Sequence, residues 1–449
     1  MVLRLVILAA LCGLMQAARS FAPIDHGAAQ VGAGTLAFGF VLLASFFMGR
    51  VFKSLRLPRL TGYIATGLIV GPSVLGLLTP TMVTDLKLFN GVAIALIALT
   101  AGGELDFRAI RPLLRTIAWI TLVAVMGTTL LLTGVVFLLR GQLPFMAELP
   151  LVPALAVAFV LGVTVVAQSP AVVVALRDEM DSEGPVSRTA LGVVVLADLV
   201  VIVFFALASA SAKSVLGGDA DVLRTIRQLG WELFGSLGIG VVVGVLLAIY
   251  LRKVQGSAAL FILVVCFGVA EIGSRVHLDP LLVALAAGVL VRNVTELGDR
   301  LVREIEGAAL PVYVVFFAVA GATIHLELLP LVWIPALAII GTRAFGLLAG
   351  TRLAARLAGA PPEVGRYAGF GLLPQAGLAL ALALLFARTF PSFGEGASAL
   401  TLAVVALNEI IAPVFFRVAL VRSGEAGQRR AREVSLGEAE LAQNGAAGP

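Results

Sequence analysis

The sequence predicts an all-α, polytopic membrane protein of about thirteen transmembrane helices, built as inverted five-helix repeats with two discontinuous core helices. Three observations carry that prediction. Of the 449 residues, 60% are hydrophobic and only 13% are charged, whereas an ordinary soluble domain carries about a quarter charged residues. Apolar runs recur at roughly 20 residues, the length of helix that crosses hydrocarbon. Distant segments also resemble one another in a common register. A soluble enzyme is excluded by the composition. Two cysteines, Cys12 and Cys266, make no disulfide framework, and His26, His277 and His325 stand far apart near segment ends. Metal, thiol and cofactor chemistry are therefore not expected. The formal net charge of +5 comes without a basic patch interleaved with aromatics, which argues against nucleic acid as a partner and for membrane orientation, with the lipid bilayer as solvent.

The elements follow in order. Residues 1–22 hold Arg4, a short apolar run and then small or polar residues, the pattern of a signal peptide or of an extra N-terminal helix. Thirteen apolar segments follow, approximately 33–52, 60–79, 88–104, 116–139, 152–176, 187–211, 231–251, 258–274, 278–292, 307–324, 329–350, 365–388 and 396–421. Cytoplasmic loops hold the Lys and Arg excess. With the N-terminus outside and the C-terminus inside, 22 of the 32 basic residues face the cytoplasm and seven face out. Arg4 and Arg19 lie in the leader. Arg343 is the one basic residue well inside a predicted helix. The transmembrane domain is expected over 33–425, and 426–449 reads as a short, disordered cytoplasmic tail.

Ala65-Thr66-Gly67 to Gly71 recurs as Ala286-Ala287-Gly288 to Arg292, and Ala101-Gly102 to Pro112 recurs as Ala320-Gly321 to Pro330. Each pair is seven segments apart, so the matching helices run in opposite directions. The repeats cover about 60–211 and 278–421. Inverted repeats of this kind build secondary transporters with alternating access.

Charged groups in hydrocarbon cost about 2.5–3.5 kcal/mol each on insertion scales, so those retained there need a reason. Asp198 is the only charged residue between Arg188 and Lys213. Glu409 and Arg343 are embedded in later segments, and Glu271, near an interface, reads as structural. Burial favours a neutral carboxyl and a neighbouring cation favours the ionised one, so a buried aspartate is a place where H⁺ and a metal cation compete. Upstream, Thr164, Gln168 and Ser169 precede Pro170, and Pro374-Gln375 stands at the matching place in the second repeat. Proline removes a backbone donor and frees carbonyls, and paired breaks near the midplane suit a small ion. The expected site is thus Asp198 with Thr164, Gln168 and Ser169, the breaks at Pro170, Pro374 and Gln375, and Arg343 as charge compensation. Glu409 is a possible secondary acid, and Asp198 has no evident aspartate partner in the core.

These residues resemble a family. Leu57-Pro58-Arg59-Leu60-Thr61-Gly62-Tyr63 running to Gly71-Pro72-Ser73, Gly103-Glu104-Leu105-Asp106, Ser169-Pro170, the mid-helix Asp198, Pro374-Gln375-Ala376-Gly377 and Glu409 to Pro413 look like the bacterial monovalent cation:proton antiporters of the Kef and Nap type. The resemblance implies a mobile core against a dimerising panel, an elevator-like movement, a homodimer in the inner (plasma) membrane, and exchange of Na⁺ or K⁺ for H⁺ without a cofactor. One departure is Ala197, where the family often places a polar or acidic residue. A single carboxylate with a permanent arginine suits one proton per cation, so exchange is expected to be electroneutral. The Kef-type nucleotide-binding domain is not expected in the 28 residues after Val421. The competing readings are a sodium-coupled organic anion symporter on a related inverted-repeat fold, a membrane-embedded hydrolase and a conductive channel. The hydrolase needs a nucleophile with a base, a His pair or facing aspartates, and the channel needs a selectivity filter.

Overall fold

The computed structural model describes residues 2–21, 28–86, 88–216, 227, 230–254, 258–276, 278–324, 329–375, 378–379, 382–383, 386, 390 and 394–429. Among them there is no strand. In hydrocarbon the backbone must satisfy its own polar groups, so apolar sequence free of breakers becomes helix. The helices are α1 (Val2–Phe21), α2 (Ala28–Ser54), α3 (Arg59–Val70), α4 (Pro80–Leu86), α5 (Leu88–Glu104), α6 (Arg111–Gln142), α7 (Leu151–Val166), α8 (Pro170–Glu179), α9 (Pro185–Val215), α10 (Leu233–Lys253), α11 (Ala259–Val276), α12 (Pro280–Val294), α13 (Gly298–Ala322), α14 (Leu329–Ala358), α15 (Pro362–Tyr367) and α16 (Gly394–Arg422). Among the described residues, eight helices are long and apolar enough to cross a membrane on their own, and α13 joins them as a span bent by 62°. The count of thirteen stays an expectation, because part of 365–388 lies outside the described residues, as do all three histidines.

Among the described residues most of the predicted segments fall on helices, and the departure at 60–79 is instructive. The expected span 60–79 is a helix of only 12 residues, Arg59–Val70. Pro72 cannot continue the hydrogen-bond ladder. The chain instead folds back, with the Gly76 amide donating to the Gly71 carbonyl at 2.9 Å and Gly76 at a φ of +59°, a conformation that glycine adopts at no steric cost. The leader segment is a helix, α1, packed on α2, with the Arg4 guanidinium donating to the Arg50 carbonyl at 2.9 Å.

The helices sort into two groups. In one, α2, α3, α5, α10, α11, α12 and α13 pack together; in the other, α6, α7, α9, α14 and α16 do. The short helix α8 lies on the seam, against α5 and α3 on one side and α9 and α16 on the other. The first group is held at two crossings where backbone meets backbone. A methyl at Gly67 would strike the Ala318 carbonyl and one at Gly321 the Ile64 carbonyl, so α3 and α13 touch there. A methyl at Gly102 would strike the Leu285 carbonyl and one at Gly288 the Leu99 carbonyl, so α5 and α12 touch likewise. Without an aqueous hydrophobic drive between helices, such small-residue contacts are what holds membrane helices together. Gly67 and Gly288 are equivalent in the repeat register, as are Gly102 and Gly321. The inverted repeat therefore exchanges one crossing for the other.

The C-terminal segment returns to the second group. The buried Glu425 carboxylate accepts from the amides of Val186 at 2.5 Å and Ser187 at 2.8 Å, capping the first turn of α9, where a helix presents unpaired donors to an anion. The Gly427 and Arg429 amides bond to the carbonyls of Met180 and Asp181. The tail expected to be disordered from 426 is thus ordered as far as Arg429.

Gly67→Val should lower the thermal unfolding midpoint in detergent by several degrees, since overpacking costs about 1–3 kcal/mol. Gly134→Ala, where an added methyl meets nothing within 4 Å, should leave it unchanged or raised. Equal midpoints for wild type and Gly67→Val would show that the α3–α13 contact is dispensable.

Candidate ion site

The site begins with the break between α7 and α8. Helix α7 stops at Val166, and Ala167 turns extended at φ −48°, ψ 143°. Pro170 opens α8 from the first helical position, where its missing donor does no harm. Ser169 caps that helix, its hydroxyl accepting from the Val172 amide at 3.3 Å. The last carbonyls of α7 are thereby left without helical partners, in the membrane interior where water does not serve them.

Arg343, fully buried on α14, supplies the donors. Its Nε bonds the Val165 carbonyl at 2.9 Å and its Nη2 the Ala167 carbonyl at 3.0 Å. The same guanidinium reaches the second break, with Nη1 on the Leu373 carbonyl at 2.6 Å and Nη2 on the Leu372 carbonyl at 3.1 Å. Gln375, just after Pro374, donates to the Val165 carbonyl at 2.6 Å and accepts from Asn408 Nδ2 at 2.7 Å. One planar cation with five donors thus ties the two interruptions together. Among the described residues no ion pair joins Asp198 and Arg343, so a fixed salt bridge is not what holds α9 to α14. Arg343 and Gln375 thus meet at the breaks marked by Pro170 and Pro374, and the positive charge is directed at carbonyl dipoles.

Asp198 projects from the middle of α9 into a cavity of about 360 Å³. The residue is 2% exposed, and neither carboxylate oxygen has a hydrogen-bond partner among the described residues. Gln168, Ser169 and Pro170 line the same cavity, and both polar atoms of the Gln168 side chain are buried and likewise unpartnered. The remaining walls are apolar, including Ile97, Phe205 and Phe316. Thr164 stays out of the lining; its hydroxyl donates to the Val160 carbonyl at 2.8 Å within its own helix. Glu409 is buried at 3% exposure, one oxygen unpartnered among the described residues, but it lines neither this cavity nor the next. Glu271 pairs with Arg275 on an exposed face of α11.

A second cavity, of about 330 Å³, approaches α8 from its other end. Arg59, Tyr63, Thr100, Glu179, Tyr313 and Arg429 are among its walls. The two cavities meet the same short helix one turn apart, Ala171 lining the first and Ala175 the second, with Phe316 and Phe317 divided in the same way. The Thr100 and Tyr313 hydroxyls, 3.3 Å apart, stand beside this partition. At the outer edge of the second cavity, Arg177 pairs with the buried Glu104, and Arg429 with Glu104 and Asp178.

Contrary to the expectation that Asp198 has no aspartate partner in the core, a second aspartate, Asp279, shares its cavity. It lines the Asp198 cavity from the start of α12. Its signal in the sequence, Asp-Pro before an apolar run, marks a helix N-cap and is silent about which distant helix the side chain faces. Asn408 was missed for the same reason.

Comparisons with known proteins agree with this architecture. The family model described as sodium/hydrogen exchanger, transmembrane, matches residues 27–422. The curated iron transporter MagA of Paramagnetospirillum magneticum is 27% identical over 288 residues, 63% of this chain and 62% of that relative. The alignment thus spans about three fifths of the relative's length. Among solved structures, the sodium proton antiporter MjNhaP1 of Methanocaldococcus jannaschii at pH 8 superposes with a TM-score of 0.63 at 16% identity, covering 89% of this chain and 98% of its own. Its electron-microscopy map gives 0.67, at 16% identity and 88% and 96% coverage. The fold is that of this antiporter.

Arg343→Lys should lose much of the thermal stability that Arg343→Ala loses, because an ammonium has three donors at one point and does not span both breaks. Each carbonyl left buried without a partner costs about 1–3 kcal/mol. Unfolding midpoints compared across the two variants test this; a wild-type midpoint in Arg343→Lys would mean that charge alone suffices.

Proposed function

Because the chain belongs to the sodium/hydrogen exchanger family, and so is a secondary transporter rather than an enzyme, we propose that Asp198 is the group at which its cation and its proton alternate. The observation that carries this is the isolation of that carboxylate: buried, lining a cavity, and without a hydrogen-bond partner among the described residues. An ionised carboxylate left alone in a low-dielectric interior is several kcal/mol out of balance. A proton or a monovalent cation restores the balance, and the two exclude each other. Gln168 and Ser169 offer neutral oxygens for the cation, and Pro170 keeps them free of a continuous helix.

The two cavities support alternating access. Each reaches α8 from one end of the bundle, and the partition between them is one helical turn thick. Movement of α6, α7, α9, α14 and α16 as a body along α3 and α5 opens one cavity as it closes the other. Arg343 carries its charge unchanged through this cycle, so one proton leaves for each cation bound, and exchange is electroneutral. The cation is Na⁺ or K⁺. The excess of Lys and Arg supports a cytoplasmic C-terminus, with the Arg59 and Arg429 cavity on that side, and the working unit proposed is a homodimer. The narrow apolar walls of the Asp198 cavity do not favour the alternative of an organic anion symporter.

In proteoliposomes loaded with a pH-sensitive dye, Na⁺, Li⁺ or K⁺ should drive proton movement, and Asp198→Asn should abolish it while the protein stays folded; full activity in that variant refutes the assignment. Fe²⁺ belongs in the same panel, given the name of the MagA relative. Clamping the membrane potential with an ionophore should leave the wild-type rate unchanged, since an uncompensated charge would feel about 2.3 kcal/mol per 100 mV. A steep voltage dependence would exclude one-for-one exchange.

A further inference from the structure

We propose that Asp279 forms a holding site for the alkali cation in the mouth of the Asp198 cavity, one step out from the exchanging carboxylate. The inference rests on the function proposed above and adds to it a residue that the exchange step itself does not require.

Three observations carry it. Asp279 lines the same cavity as Asp198 and Gln168, and those two inner side chains are buried with no hydrogen-bond partner among the described residues. The cavity therefore holds a lone carboxylate and an unpaired amide that are buried, and a second carboxylate, half-buried, on the wall formed by the start of α12. Ordinary capping also leaves Asp279 capacity for another contact. Its Oδ1 accepts from the Leu281 amide at 2.8 Å, and its own amide donates to the Ser236 hydroxyl at 2.9 Å. A carboxylate has about four acceptor positions over its two oxygens, so capping does not exhaust it.

The third observation is the inverted repeat. In the register that equates Gly67 with Gly288, Asp279 falls on Pro58 and the start of α12 on the start of α3. The start of α3 lines the other cavity, and a carboxylate is found there too: Glu179, from the end of α8, accepts from the Arg59 amide at 2.7 and 3.0 Å and lines that cavity. Each chamber thus has an acidic group at the first turn of the equivalent helix, although the two come from unrelated places in the sequence. A capping role alone is met by any Ser, Thr, Asn or Asp. A carboxylate in a narrow, low-dielectric cleft does something those side chains do not: it concentrates cations.

The chemistry is non-covalent. A cation loses part of its hydration shell against Asp279 and a polar neighbour such as Ser169, then passes to Asp198 as the proton there departs. The two negative charges repel, so a cation shared along this path is favoured, and the outer site releases its ion readily. Asp279 thus sets how much cation is needed and leaves the turnover step to Asp198.

The test separates charge from capping. Asn caps a helix as well as Asp does, so Asp279→Asn removes the charge and keeps the N-cap, whereas Asp279→Ala removes both. Na⁺-driven proton movement is measured in proteoliposomes of the full chain as a function of Na⁺ concentration, at low and at high choline chloride. Asp279→Asn should raise the KM for Na⁺ by about tenfold at low ionic strength, keep kcat within about twofold, and approach the wild-type KM as added salt screens the field. Asp279→Ala should share that KM and unfold at lower temperature. A wild-type KM in Asp279→Asn beside a defective Asp279→Ala would reduce Asp279 to a helix cap and overturn the proposal. Complete loss of turnover in a folded Asp279→Asn would also overturn it, because the residue would then belong to the exchange step. Failure of the underlying reading shows elsewhere, as an active Asp198→Asn or a wild-type protein that moves no alkali cation.

Discussion

The arrangement depends on one guanidinium. Interrupting two helices inside a membrane frees carbonyls that lipid does not satisfy, and Arg343 gathers those of both interruptions. Gln375 and Asn408 extend the same network. A buried arginine would itself be costly without acceptors, so each half of the pairing makes the other tolerable. The mechanical result is that α7, α14 and the chain around Pro374 are locked to one another. Asp198, on the adjacent α9, is carried by that unit without spending its own charge on holding it together.

The other half of the molecule is rigid for a different reason. Its two glycine crossings bring main chains into contact at Gly67 and Gly321 and at Gly102 and Gly288, with no side chain at those four positions to change rotamer. Two stiff bodies then face each other across α8, α3 and α5, where Ala171 and Ala175 present small surfaces. Discrete sliding of one body past the other is a natural motion for such an interface, since close-packed bodies deform poorly.

Much of this was legible in the sequence, and for identifiable reasons. Helix boundaries such as Leu88–Glu104 follow from apolar length and flanking charge, and lipid leaves the backbone few alternatives. The interruptions announced themselves through Pro170 and Pro374, and Asp198 through its solitude among apolar residues. What was not legible involves partners far apart in the chain. Arg343 was legible as a charge-balancing residue for either the ends of the broken helices or Asp198; that it binds the carbonyls of both breaks was not, because sequence gives the depth of a charge and not the direction its side chain takes. Thr164 looked like a ligand by proximity to Ser169, but it sits on the helical side of the break and returns its hydroxyl to Val160. Asp279 carried a cap signature whose cavity-facing side appears only when α12 is placed beside α5, on the cavity that α9 also lines.

The cap on α9 has a consequence for how the protein is made. The amide of Val186 is completed by a carboxylate lying 239 residues further along the chain, beyond every helix described here. During synthesis the first turn of α9 therefore stays unfinished until the ribosome has added Glu425, after all the other described helices exist. Domains generally form in the order in which they are translated. In this protein the half that holds Asp198 is sealed last, so a nascent chain that stops short is left with an unsecured carrier.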